Sequence, residues 1–375
     1  MTHAFKQPAV SRLVHRQQRG LSLIELLVAL AIGAVLIFGA TQAYVDSRNA
    51  YTVNETVSRL QETARYAMSI LEPDIRMSNN WGLLKGAETI QGKLSQTVAE
   101  GAGMGLATSQ CGPNYGIDLE NNLEGTNGGY ITTAYTADCK PFHDAALQTA
   151  DTITVRRASI QDSTVPPSVG PLRICSTRTA GVLVTDTSAP LCLGIGALPD
   201  PIAQINDLMV NLYYIDRDSE AANGYPSLRR YFLDVSTNSF IEREVVAGVE
   251  DMQVQFGVDP SGGVGATGGA ATQYLDWGPT LAALLSGGSP AQIVSVRIWL
   301  LVRSDAPEVG FTDDRVYVYG NRGSVPGKTG DLTSVADMNK AYQPSLNADA
   351  SPLGLRHFRR VLISRTIQIR NALGT

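Results

Sequence analysis

From Leu21 to Val45 the chain runs 25 positions with Glu25 as its only charged side chain. A helix of that length rises about 37 Å, enough to cross the hydrocarbon layer of a bilayer with some tilt. Ahead of it, residues 1–20 carry Lys6, Arg12, Arg16 and Arg19 and no acidic residue. The positive-inside rule therefore keeps this end cytoplasmic and puts everything beyond the span on the far side. An ionised carboxylate at membrane depth costs about 2.5 kcal/mol or more unless it is paired, so Glu25 needs a cation or a donor as partner.

An ordinary secretory signal is cut after its apolar core, at small residues. Here the plausible cut precedes the core, at Gly20-Leu21, and the apolar helix would stay on the mature chain. Gly20 at the end of a basic leader, apolar Leu21 after it and Glu25 at the fifth position of the cut chain resemble the type IV prepilin signature. The resemblance implies cleavage by prepilin peptidase between Gly20 and Leu21, methylation of the new amino terminus of Leu21, and pairing of Glu25 with the amino terminus of a neighbouring subunit. Major pilins usually begin with Phe where this chain has Leu21.

The helical pattern continues past the span. Val53, Val57, Leu60, Ala64, Ala67, Leu71 and Ile75 recur every three or four residues, with Asn54, Glu55, Ser58, Arg59, Gln61, Glu62 and Arg65 between them. This is the stripe of an amphipathic helix. Pro73 is a site for a kink, with helix expected to resume before Asn79-Asn80-Trp81-Gly82.

Beyond Trp81 the composition turns to Gly, Ser, Thr and β-branched residues. Strands are expected at 151–156, 181–184, 208–215, 228–235 and 240–246, the last three forming a meander of hairpins, then at 252–258. The nearly continuous apolar run 293–302 reads as a central strand. Val361, Ile363, Ile367 and Ile369 share one parity, interrupted by Arg365, as in a last strand closing the sheet. The fold class is α+β and pilin-like, one long N-terminal helix packed on a largely antiparallel sheet with long loops. The expected divisions are a leader at 1–20, a membrane or filament-core helix at 21–45, its amphipathic continuation at 46–80 and a head at 81–375. The glycine-rich stretches 261–271 and 320–330 read as loops.

The net charge of −5 would become −9 on loss of the four basic leader residues, which does not suggest a nucleic-acid groove. The basic clusters at Arg229-Arg230 and from Arg356 to Arg370 alternate with apolar residues and read as solvated strand faces. Cys111, Cys139, Cys175 and Cys192 all fall on the non-cytoplasmic side, where an even count favours two disulfides. Three connectivities are open, and 111–139 with 175–192 closes local loops. Their spacing matches no zinc pattern. Asp216, Asp218 and Glu220 at alternate positions supply oxygen ligands of the kind calcium takes, although an acidic hairpin tip explains them as well.

His143 and His357 are the only histidines that survive loss of the leader. No nucleophile elbow, P-loop or His-Glu-x-x-His motif accompanies them, so no enzyme and no cofactor are expected. The stretch Glu244–Gly257, Val296–Leu300 and the ending Arg359–Asn371 resemble PilW-type minor pilins, larger cousins of the J-type minor pseudopilin of type II secretion. That resemblance implies a structural protein of the inner membrane, with cytoplasmic amino terminus and periplasmic head, that passes into the pilus at the cell surface. Its implied partners are other minor pilins, the major pilin, prepilin peptidase, the inner-membrane assembly platform and membrane lipid, and its place is at or near the pilus tip, priming assembly. Two other readings stand beside it: a pilus-displayed adhesin or DNA-capture module, and a type II secretion minor pseudopilin.

Overall fold

The computed structural model describes residues 22–84, 86–93, 111, 115–130, 139–160, 172–184, 203–234, 237, 239–262, 269–285, 290–308, 310–320, 355–370 and 372. Gly20, Leu21, Cys192 and most of both glycine-rich stretches lie outside them. The chain divides into two compact units, Met1–Glu55 and Thr56–Thr375.

The first unit holds the opening of helix α1 (Leu23–Arg76). Leu23, Ile24, Leu30, Val35, Leu36, Ile37 and Phe38 are all exposed. Hydroxyls here are satisfied within the helix, Thr41 Oγ1 donating to the Ile37 carbonyl at 2.8 Å and Thr52 Oγ1 to that of Arg48 at 3.1 Å. Among the described residues α1 is the one helix long and apolar enough to cross a membrane.

In the second unit the rest of α1 buries the predicted stripe, with Leu60, Ala64, Ala67, Leu71 and Ile75 joined by Met68. The helix runs through Pro73 to Arg76. Pro73 sits in its last turn, where its carbonyl still accepts the Met77 amide at 3.1 Å.

The head contains two sheets where the sequence suggests one. The first has eight strands: β1 (Ile90–Gln91), β2 (Leu123–Thr126), β3 (Thr152–Ala158), β4 (Arg173–Ser176), β5 (Gly181–Val184), β6 (Gln204–Asp216), β7 (Ser227–Asp234) and β8 (Ser239–Ala247). β6 is its spine. Residues 204–207 pair with β4, 208–213 with β3 and 211–216 with β7, all antiparallel. Among the described residues only β1 and β5 run parallel. The second sheet orders β10 (Gln273–Leu275), β9 (Val249–Asp259), β11 (Gln292–Arg303) and β12 (Arg360–Gln368), with β11 central as its apolar run requires. A short helix α2 (Pro279–Leu285) precedes β11.

The chain changes sheets at Gly248. Its φ is +93°, and a Cβ there would lie 2.6 Å from the Tyr225 hydroxyl and 3.1 Å from the Arg303 carbonyl. Only glycine meets both conditions cheaply. Two cores result, one shared by both sheets and one belonging to the first sheet. Leu60, Leu71 and Ile75 of α1 pack with Met252, Val254 and Phe256 of β9 and Val296, Ile298 and Leu300 of β11. Trp81, Ile90, Tyr115, Ile174, Leu208, Val210, Leu212 and Tyr214 form the second core. β6 contributes Tyr213 and Ile215 to the first core and the opposite parity to the second, so it is buried on both faces.

The solvated reading of the basic clusters fails at two positions. Arg229 is fully buried against Glu242 and Glu244, with its Nη1 3.1 Å from Glu244 Oε2 and its Nη2 2.9 Å from Glu242 Oε2. Arg360 is buried between Glu250 and Asp313, with Nε 2.5 Å from Glu250 Oε2. Planar guanidinium forks matched to carboxylates keep these charges inside. Arg356, Arg365 and Arg370 are exposed, in line with the expectation.

Candidate functional site

The first described residues form a capping box. Glu25 Oε2 accepts the Ser22 backbone amide at 2.9 Å and the Ser22 hydroxyl at 3.1 Å, while Ser22 Oγ receives the Glu25 amide at 3.2 Å. Orphan amides at the helix start are satisfied reciprocally. The predicted site residues Gly20 and Leu21 lie outside the described residues; Glu25 does not, and among the described residues Ser22 donates to it. The pattern Ser-x-x-Glu at 22–25 is itself a helix-start signal in the sequence.

The end of α1 is held by a second carboxylate. Asp74, 4% exposed, accepts Arg157 Nε at 2.7 Å on one oxygen. Its other oxygen accepts Asn211 Nδ2 at 2.8 Å and the Tyr213 hydroxyl at 3.0 Å. Burial and the Asp74 charge together push the Tyr213 hydroxyl well above its ordinary range. α1 is thus tied to β3 and β6 of the first sheet while its apolar stripe packs on the second. Arg365, which broke the apolar parity of β12, pairs with Glu72 of α1, and the Arg370 amide donates to the Arg76 carbonyl at 3.0 Å. Asp74 was missed because its neighbours in sequence show only a helix stripe; its partners lie 83 to 139 residues away.

Cys111 and Cys139 are bonded, with Cα atoms 4.3 Å apart, as in the pairing that closes local loops. The Tyr130 hydroxyl donates to the Cys139 carbonyl at 2.7 Å. Burial, with the Tyr214 charge next, drives that hydroxyl far above its ordinary range. Cys175 is buried and disulfide-bonded; its expected partner Cys192 lies outside the described residues.

Asp216, Asp218 and Glu220 do not converge. Asp216 Oδ1 accepts the Asp218 amide at 3.0 Å and Asp218 Oδ1 that of Gly224 at 2.7 Å, while Glu220 Oε1 lies 3.4 Å from Arg229. Among the described residues no group of three or more His, Cys, Asp or Glu is arranged to hold a metal ion. One oxygen of each is engaged by a backbone amide or by Arg229, a pattern that an acidic hairpin tip also gives. Burial lifts the Asp216 carboxyl to about 6.

The two histidines each face an oxygen atom. His143 Nδ1 is 3.7 Å from Asp218 Oδ2, and His357 Nδ1 is 2.6 Å from the Phe311 carbonyl. Asp151, 1% exposed, is lifted by burial to about 7, yet its oxygens accept the Gly128 and Val254 amides at 2.8 Å each. It joins the approach to β3 to strand β9.

Comparison with known proteins places two families on the chain. Residues 212–371 match the model for PilW, type IV pilus-assembly protein W, and residues 15–41 match the prokaryotic N-terminal methylation motif. No curated protein and no solved structure matches the chain. The PilW match begins inside β6 and runs through β12, so it covers the sheet on which α1 buries its stripe, and the methylation motif opens onto the exposed apolar start of the same helix. The helix start and the head thus each match a pilin-related model, and over these residues the chain is similar to a type IV pilus-assembly protein.

Proposed function

We propose that this chain is a minor pilin that is cut between Gly20 and Leu21, methylated at Leu21, and built into a type IV pilus as a structural, non-catalytic subunit. Residues 1–20 are its leader, 21–45 its membrane and later filament-core helix, 46–80 the amphipathic continuation and 81–375 the head. It waits in the inner membrane with its amino terminus cytoplasmic and its head periplasmic, and moves to the cell surface on assembly. There it joins other minor pilins at or near the tip and primes growth of the major pilin from the assembly platform.

The observation that carries this reading is the helix start: a long exposed apolar face interrupted by one acid, Glu25, within the match to the methylation motif. An intramembrane acid is a functional residue by default, and the amino terminus of a neighbouring subunit supplies its cation. Tip placement follows from the bulk of the head, which would crowd a helical lattice if repeated. Immunogold labelling of sheared pili tests it. Label confined to pilus ends, and pilus loss on deletion of the gene, are the expected results; label spaced evenly along the filament would refute tip placement.

A further inference from the structure

A cleft of about 350 Å³ opens in the second unit between α1, the turn from β6 to β7, the end of β8 and the chain leaving β11. Its walls carry Arg59, Glu62 and Tyr66 of the helix, Tyr225 of the turn, and Arg303 and Asp305. The volume lies at the lower end of the range for small-molecule sites. We propose that this cleft binds a short neutral saccharide.

Charge decides what fits. Among the described residues the two guanidinium groups on the wall are matched by two carboxylates, so an anion or a cation meets as much repulsion as attraction. An apolar molecule would strip water from these charged groups and return nothing. A zwitterion would also lose its own hydration, a cost that such pairs rarely repay. A sugar hydroxyl both donates and accepts, so it gives to the carboxylates and takes from the guanidinium groups and tyrosine hydroxyls. Guanidinium and carboxylate are planar forks that can span a pair of neighbouring hydroxyls. The rings of Tyr66 and Tyr225 add flat apolar faces for the C–H side of a sugar ring.

Part of the wall is set in place before any ligand arrives. Arg303, only 5% exposed, donates to the Gly224 carbonyl at 2.7 Å and lies 3.6 Å from Glu250. Its guanidinium sits 4.6 Å from the centre of the Phe358 ring and 5.8 Å from that of Tyr225. A charged group so buried, yet lining a cleft, needs no reordering when a ligand binds. On the same wall the exposed side chains of Arg59 and Asp305 stand 3.8 Å apart, a pair worth little to stability. Exchanging that contact for ligand hydroxyls therefore costs little.

Saturation-transfer NMR on the full-length chain, in a detergent without a sugar headgroup, tests the proposal. The probes are maltose, cellobiose, lactose and N,N′-diacetylchitobiose at about 5 mM, enough to populate a site of millimolar affinity, with glutamate and spermidine as charged controls. At least one disaccharide should receive saturation and neither control should. Glu62→Gln and Tyr66→Ala alter exposed helix positions, so the fold survives, as an unchanged urea midpoint verifies. Each should weaken the disaccharide about tenfold, whereas Arg65→Gln, on the same helix but off the cleft wall, should leave it unchanged. Absence of transfer to every disaccharide, equal transfer to a charged control, or an affinity unchanged in either cleft variant overturns the proposal. The minor-pilin reading, on which it does not depend, survives each of these results.

Discussion

Replacing Asp74 by alanine should loosen the attachment of α1 to the head about as much as truncating a buried leucine of its apolar stripe. The carboxylate is buried and accepts from Arg157, Asn211 and Tyr213. Its removal leaves a guanidinium with a side chain 12% exposed, which among the described residues keeps its bond to the Ala158 carbonyl at 3.1 Å. Breaking one partner out of a buried ion pair costs about 3–5 kcal/mol, and each stranded neutral donor about 1–3 kcal/mol. These costs overlap because the three donors share one acceptor, so the net loss should be about 4–5 kcal/mol. That is a large share of the ~5–15 kcal/mol typical of a folded protein. Urea unfolding of the detergent-solubilised chain measures it through tryptophan fluorescence, since Trp81, Trp277 and Trp299 all report on the head and Trp81 is fully buried. With a slope near ~3 kcal/mol/M the midpoint should fall by about 1.5 M. A fall corresponding to less than about 1 kcal/mol would refute the reasoning, because it would mean that the helix end is held by apolar packing alone.

Arg360→Met should destabilise the head by about 3 kcal/mol by stranding Glu250 and Asp313, and chemical unfolding of that variant beside Arg365→Met, whose pair with Glu72 is exposed, should show the exposed site within about 1 kcal/mol of the parent. Cys139→Ser opens a loop of 28 residues and should cost about 3.5 kcal/mol on the chain-entropy account, read as the same loss after reduction of the parent at that bond. Stability should also fall as pH rises. Asp151 and Asp216 titrate near 7 and 6 in the folded head, against about 3.9 in an unfolded chain, so the folded state holds more protons across that interval. The stabilisation is complete below pH 4 and lost by about pH 7, amounting to a few kcal/mol at most; Asp151→Asn should flatten the slope between pH 5 and 7, and an unchanged slope would contradict the assignment to Asp151.

How much of this was legible depended on whether a feature is local. The meander of β6, β7 and β8 was readable because alternation and polar turns are properties of neighbouring residues, and the predicted strand 181–184 coincides with β5. The stripe on α1 was readable for the same reason. β1, β2 and β4 are two to four residues long and lie among Gly, Ser and Thr, too short for a period to show. The division into two sheets was hidden because it turns on Gly248, whose need for a positive φ and a close approach to Tyr225 is a tertiary fact. Alternation told which residues of β7 and β12 share a face but not what covers it, so Arg229 and Arg360 read as wet when their partners on β8 and β9 make them dry. At the helix start the Glu25 signature was plain, while its partner Ser22 was overlooked three positions away.

The central claim is that the apolar helix begins the mature chain, and the intact mass of the protein from cells with and without prepilin peptidase tests it most directly. The account predicts a chain of residues 21–375 carrying one added methyl group on Leu21 when the peptidase is present, and the uncut chain when it is absent. Retention of residues 1–20 in both, or a cut beyond Val45, would contradict it.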